Sequence, residues 1–180
     1  MGPAGIAVLL SAQKRNFPGP TAKNNGQPMK ILDVLNKEAI NVDMQARDKK
    51  GVLDELVAPV AAAAGENQEK LVKVLLERER LGSTGIGGGI GIPHGKLKNL
   101  QSLILGFGLS RKGVDFESMD GRPTHIFFLL LTPENSAGMH LKLLARISRM
   151  LKNTDFKKRL MQSQTAEEIL AAVGEEDEDF

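Results

Sequence analysis

Apolar positions recur along this chain with two periods, and each period names the elements it runs through. Ile31, Val34, Leu35 and Ile40 predict a short helical turn and then a strand over residues 39–42. Val52, Leu53, Leu56, Val57 and Val60 fall at helical spacing and predict one helix over 49–63, ended by Gly65. Leu71, Val74 and Leu75 repeat the pattern over 67–81, with Gly82 as the stop, so the two helices are placed to pair as a hairpin. Residues 102–109 read as a strand, and 113–123 as a polar loop with a turn at Asp120-Gly121. Residues 124–132 form an almost continuous apolar strand, suited to a sheet covered on both faces. Three helices follow over 139–151, 155–162 and 165–173. Asp155 favours the start of the second, and Thr165 with Glu168 supplies a capping box for the third. Residues 174–180 are an acidic run, expected to be a solvated tail. Helices and strands are intermixed, which favours α/β or α+β over all-β or an all-helical bundle.

Residues 1–28 do not follow either period. Pro18, Gly19, Pro20, Asn24, Asn25, Gly26 and Pro28 break any helix or strand, and the segment holds Lys14, Arg15 and Lys23 with no acid. It is expected to be a disordered or loosely docked extension, with Met29 as the natural beginning of the globular part. Composition then narrows the function. A net charge of +2 gives no basic footprint for nucleic acid. Seven Phe with no Trp or Tyr give no stacking platform for single strands. With no cysteine, thiolate nucleophiles and cysteine metal sites are excluded, and a reducing cytoplasm is compatible. The longest apolar runs, 126–131 and 6–10, are far shorter than the ~20 residues of a membrane-spanning helix, and the N-terminus does not read as a signal peptide.

The chemistry gathers in residues 82–95, where seven of fourteen residues are glycine. Glycine-rich loops bring backbone amides to phosphate. The P-loop pattern fails, because Gly95-Lys96 is followed by Leu97. The dinucleotide pattern fails too, its last glycine falling on Ile90 or Ile92. What remains is an imidazole set among unhindered backbone. His94 lies between Pro93, with fixed φ and no N–H, and Gly95, with no Cβ. Ile86, Ile90 and Ile92 are expected to anchor the strand-like parts in the core, leaving His94 at a strand end, exposed enough to carry a covalent phosphoryl group. The residues alone also allow a histidine that merely serves the turn.

The stretch from Leu81 to Lys96, LGSTGIGGGIGIPHGK, resembles the signature of the enzyme IIA domains of the bacterial phosphoenolpyruvate-dependent phosphotransferase system. The likeness is to the fructose/mannitol type, nearest its nitrogen-regulatory branch, and extends from about Met29 to about Val173. Gly91 departs from it, since the family usually has alanine there. The resemblance implies an α/β fold with a small mixed β-sheet flanked by helices. It implies that His94 takes a phosphoryl group at Nε2 from an HPr-type phosphocarrier protein, with no cofactor and no metal. It places the second active-site histidine at His140 and the active-site arginine at Arg78. Read as residues, Arg78 could donate a bidentate pair of hydrogen bonds to phosphoryl oxygens, or simply pair with Glu77 or Glu79 on a helix surface. His140 could donate near a helix start, or serve as a partly buried cap. Ser83 and Thr84 are candidate hydroxyl donors to phosphate, or turn formers. Gly95 is a candidate for cradling phosphate with its N–H. His125 is assigned to the sheet edge, and Met119 and Met139 to core filling or a docking surface. The expected partners are the HPr-type carrier and a IIB component or regulatory targets, with no nucleic acid and no membrane insertion. Nitrogen-type regulation is the leading reading; a sugar-transport IIA component and a non-catalytic binding module are the alternatives.

Overall fold

The structure, a computed structural model, describes residues 29–178, so the expectation for residues 1–28 lies outside the described residues. A 3-10 turn, Ile31–Asp33, leads into β1 (Leu35–Asn41), which starts earlier than the predicted 39–42 because Leu35 already pairs with Leu105 of the next long strand. Helix α1 (Lys49–Val57) opens on the Asp48 side chain, which accepts from the Gly51 N–H at 2.7 Å. The single helix predicted over 49–63 is broken. Pro59 has no N–H to continue the ladder, so α1 stops at Val57 and a short α2 (Ala61–Ala64) resumes beyond it. Gly65, with φ +68°, ends α2. Helix α3 (Gln68–Arg80) is capped by Asn67, whose side chain accepts from the Lys70 N–H.

Among the described residues the sheet is mixed and six-stranded. Its order is β1, β5 (Ile104–Val114), β6 (Thr124–Pro133), β3 (Ile90–Gly91), β2 (Gly85–Gly87), with β4 (His94–Leu97) also pairing with β6. β1 lies parallel to β5, β5 antiparallel to β6, and β3 and β4 parallel to β6. β3 and β4 therefore follow one another along the same side of β6, interrupted at Ile92 and Pro93. Along β6, Ile126, Phe128 and Leu130 enter one core and Phe127, Leu129 and Leu131 the other. The first core is closed by the 3-10 turn and by α4 (Ala137–Met150), α5 (Thr154–Gln162) and α6 (Ala166–Glu178); the second by α1, α2 and α3. The double coverage expected of this strand is therefore present. Gly108 of β5 admits the second layer closely: a Cβ there would lie 2.8 Å from Leu56 Cδ2 of α1 and closer still to Met44 Sδ.

Three further expectations are corrected. The polar loop 113–123 is partly core, since Val114 ends β5 and Phe116 is fully buried, its ring meeting Phe127 edge-on at 5.2 Å. The rest of 115–123, apart from Phe116, is the largely exposed loop expected, with its turn at Asp120-Gly121 where Gly121 has φ +69°. His125 is on β6, an interior strand rather than the sheet edge, and its Nδ1 sits 2.9 Å from the Ser110 carbonyl oxygen. The acidic run is not simply a solvated tail. Helix α6 continues through Glu178, Asp177 is 1% exposed, and Glu176 accepts from Asn153 Nδ2. Asp177 accepts from Arg146 Nε of α4 and from the Ile31 N–H, tying the start of the fold to its last helix. Thr165 still caps α6, accepting from the Glu168 N–H, while the Glu168 carboxylate reaches back to the Gln164 N–H.

Breaking a buried ion pair by removing one partner leaves an uncompensated charge. Asp177→Ala is expected to lower the unfolding free energy by about 3 kcal/mol in urea denaturation, since it leaves Arg146 buried and unpaired. A loss under about 1 kcal/mol, the scale of an exposed pair, would show that this contact does not anchor α6.

Candidate functional site

His94 opens β4 opposite Leu130. Pro93 presents its carbonyl to the Leu130 N–H at 3.0 Å, which fixes the chain just before the imidazole. The His94 Nδ1 lies 2.7 Å from the Ile92 carbonyl oxygen. A carbonyl only accepts, so Nδ1 carries the proton and the neutral ring leaves Nε2 bare. Burial pushes the His94 imidazole below the ordinary histidine value of 6.5. The Ile92 bond and the Glu79 carboxylate oppose this, and the Arg78 and Lys96 charges add to it. The half-buried ring is therefore neutral at pH 7, with its nucleophilic nitrogen available.

His140 enters from the first turn of α4, and its ring stands edge-on to that of His94 with centroids 5.2 Å apart. It is 5% exposed, and its Nδ1 lies 2.8 Å from the hydroxyl of Thr132, which is fully buried on β6. Burial, then the positive fields of His94, Lys96 and Arg78, push its pKa down to about 4. Arg78 comes from the last turn of α3. It pairs with neither Glu77 nor Glu79, its Nη1 donating instead to the Gly82 carbonyl at 3.0 Å, and its charge is felt at both rings. The three residues expected at the centre are thus brought together from β4, α4 and α3.

The remaining candidates are placed differently. The Ser83 hydroxyl donates to the Phe116 carbonyl and accepts from the Gly85 N–H. Thr84 is 3% exposed and donates both its N–H and its hydroxyl to the Glu79 carboxylate. Both hydroxyls hold the loop and neither stands free for phosphate. Gly95 is buried in the β4–β6 ladder, and its missing Cβ admits Val74 of α3, which would lie 3.2 Å from such an atom. Ile90 and Ile92 are buried as expected, but Ile86 is 44% exposed. It is the middle residue of β2, which among the described residues is an edge strand beside β3. Met119 and Met139 are exposed, not core fillers. Sequence reasoning missed Thr132, Lys96 and the Lys49–Glu79 pair, whose Nζ and Oε2 are 2.9 Å apart. Their only sequence signal was adjacency, Glu79 to Arg78 and Lys96 to Gly95.

The family described as "Phosphoenolpyruvate-dependent sugar phosphotransferase system, EIIA 2" matches residues 33–175. The chain belongs to that family. It is 43% identical over 145 residues to the nitrogen regulatory protein of Bradyrhizobium diazoefficiens, covering 81% of this chain and 95% of that protein. It is 35% identical over 150 residues to the fructose-specific EIIABC component of Bacillus subtilis, of which it spans 24%. Among solved structures, nitrogen regulatory protein IIA-Ntr from Neisseria meningitidis superposes with TM-score 0.76 at 31% identity, over 79% of this chain and 98% of that one. IIA mannitol from Escherichia coli shares the fold with TM-score 0.65 at 20% identity, over 77% of this chain and 97% of that one. The EIIA fold, a mixed sheet flanked by helices, is the one described above.

Both rings hold their neutral form more tightly when folded than when unfolded. They favour the folded state above the unfolded value of 6.5, and that contribution drains away as pH falls through the folded values. Ring NMR shifts are expected to titrate His140 with a midpoint about 4 and His94 below 6.5, with thermal stability declining across that window. Midpoints of 6.5 or above for both rings would contradict the burial described here.

Proposed function

We propose that this EIIA protein accepts a phosphoryl group on His94 Nε2 from an HPr-type phosphocarrier protein and works in nitrogen-type regulation, in the cytoplasm. The observation that carries the reading is the His94 ring, held with Nδ1 against the Ile92 carbonyl and edge-on to His140. In the step, the Nε2 lone pair forms a P–N bond as the P–N bond to the carrier's imidazole breaks, and that electron pair returns to the carrier ring. The positive charge arising on the His94 ring is met at Nδ1–H by the Ile92 oxygen. Arg78 leaves Gly82 to grip the phosphoryl oxygens, as positioning and charge stabilisation are what such a transfer asks of a protein. With the Thr132 hydroxyl, 2.8 Å away, acting as donor to His140 Nδ1, the His140 proton rests on Nε2 as a further donor to those oxygens.

The surroundings support docking of a carrier. Leu81 is 84% exposed just beyond Arg78, and Met139 and Leu141 are exposed on either side of His140 in the chain. Apolar residues bordering a polar centre suit a transient protein interface. No described helix is long and apolar enough to cross a membrane. The likeness to nitrogen regulatory proteins along nearly their whole length supports the regulatory reading. The likeness to the fructose-specific component keeps sugar transport, with a IIB acceptor, as the second reading.

Incubation with phosphoenolpyruvate, enzyme I and HPr should add the mass of one phosphoryl group, in an acid-labile linkage, and His94→Ala should abolish the gain. Arg78→Ala and His140→Ala should each slow acceptance on the order of 10²-fold, the cost of removing one charge-stabilising donor. No mass gain in the wild-type protein, or a gain that survives His94→Ala, would overturn the proposal. Acceptance should also fall as pH drops through the His94 value, because protonation of Nε2 removes the nucleophile.

A further inference from the structure

A buried charge stands beside the site, and the phosphoryl-transfer reading does not use it. Glu79 is 6% exposed at the end of α3, one residue after Arg78. Its carboxylate meets Lys49 Nζ of α1 at 2.9 Å and accepts from the Thr84 N–H and hydroxyl. Lys49 is held in turn by the exposed Glu117 and lies 5.0 Å from the centre of the Phe116 ring. Burial works against the Lys49 charge, but its bonds to Glu117 and Glu79 outweigh it and raise its pKa. A buried ion pair contributes little net stability, so its position calls for another account.

The hydrogen bonds run on from Glu79. The Thr84 carbonyl accepts from the Ile92 N–H at 3.0 Å, and the Ile92 carbonyl accepts from His94 Nδ1 at 2.7 Å. The path is continuous: Lys49, Glu79, Thr84, Ile92, His94. It crosses the glycine-rich segment at Thr84 and Ile92, bracketing the run from Gly85 to Gly91, where the chain would otherwise have most freedom. From Glu79 the same helix end also leads to Arg78, whose guanidinium rests on Gly82, while the Gly82 N–H returns to the Glu79 carbonyl.

We infer that Glu79 and Thr84 are positioning residues for phosphoryl transfer: the carboxylate, through Thr84 and Ile92, fixes the tautomer and orientation of the His94 imidazole. The inference rests on the phosphoryl-transfer reading for its consequence in rate. Its structural content does not depend on that reading. The charge of Glu79 also supports His94 basicity, against Arg78 from the same helix, Lys96 from β4 and His140 from α4, the other charged or titratable groups facing the ring.

The test pairs ring-nitrogen NMR of His94 with initial rates of phosphoryl acceptance, in the full chain, for Glu79→Gln, Thr84→Val and Thr84→Ser. The wild-type ring should be the Nδ1–H tautomer. In Glu79→Gln and Thr84→Val it should mix tautomers, and in Glu79→Gln it should also titrate lower. Outer partners that orient a functional histidine cost about 10–100-fold when removed, so kcat should fall by that factor with KM for the carrier unchanged. Thr84→Ser, which keeps the hydroxyl, should restore both the tautomer and the rate. Wild-type tautomer and kcat in folded Glu79→Gln and Thr84→Val would overturn the inference. If Glu79→Gln does not fold, Glu79→Asp takes its place: it keeps the charge but draws the carboxylate back from the Thr84 N–H and hydroxyl, so it should mix the tautomers in the same way, and a wild-type tautomer there would overturn the inference. If the wild-type protein takes no phosphoryl group, the functional reading fails, while the tautomer measurement still decides whether Glu79 sets the ring.

Discussion

The whole arrangement depends on β6 being dry on both faces. A strand with Ile126, Phe128 and Leu130 in one core and Phe127, Leu129 and Leu131 in the other has no solvent-facing side. Every backbone polar group along it must then find a partner in the sheet, because an unpaired one would be buried without water. On one flank β5 satisfies it over nearly its full length. On the other, two short pieces share the task, β3 beside Ile126 and Phe127 and β4 from Leu130 onward. The demand of β6 for partners is what pins the glycine-rich segment, which has few side chains of its own to hold it in place.

That division also locates the chemistry. Between β3 and β4 the chain passes through Ile92 and Pro93, and Pro93 has no N–H to offer. The carbonyls on either side of this break are both employed. That of Pro93 serves β6, and that of Ile92 serves the imidazole. The reactive ring is thus held by main chain whose register is set by an apolar strand. Helices on opposite layers then bring in what the sheet lacks, α3 a guanidinium and α4 a second imidazole. Both helices donate from their ends, where side chains reach past the sheet edge.

Much of this was legible in the sequence, and the exceptions have physical reasons. Residues 124–132 read correctly as a doubly covered strand because uninterrupted apolar runs of that length have few other uses. His94 stood out because proline and glycine flank it. The break in the helix over 49–63 was missed because the apolar period runs through Pro59 unaltered, while the backbone cannot. The acidic end was misread because composition describes an average. One carboxylate in that run, at Asp177, meets a buried guanidinium thirty-one positions away, and no local pattern announces such a partner. For Thr84 the residues alone leave phosphate donor and turn former both open, for the same kind of reason. Its hydroxyl is committed to Glu79, a contact formed only once α3 has turned at Gly82. Lys49 was invisible, since a lysine at a helix start ordinarily belongs to solvent.

The bare backbone at Gly91 has a meaning that reaches beyond its own strand. A methyl group there would press on the Phe127 ring at 3.1 Å and on Thr124 at 3.3 Å. Phe127 leans on Phe116, and Phe116 forms the wall behind Lys49. The absence of a side chain at Gly91 therefore leaves room for an edge-on aromatic pair whose outer ring faces the ammonium group of Lys49 in the neighbouring helix layer. Sequence drift at position 91 would be heard first in the company Lys49 keeps, rather than at the imidazole three residues along the chain.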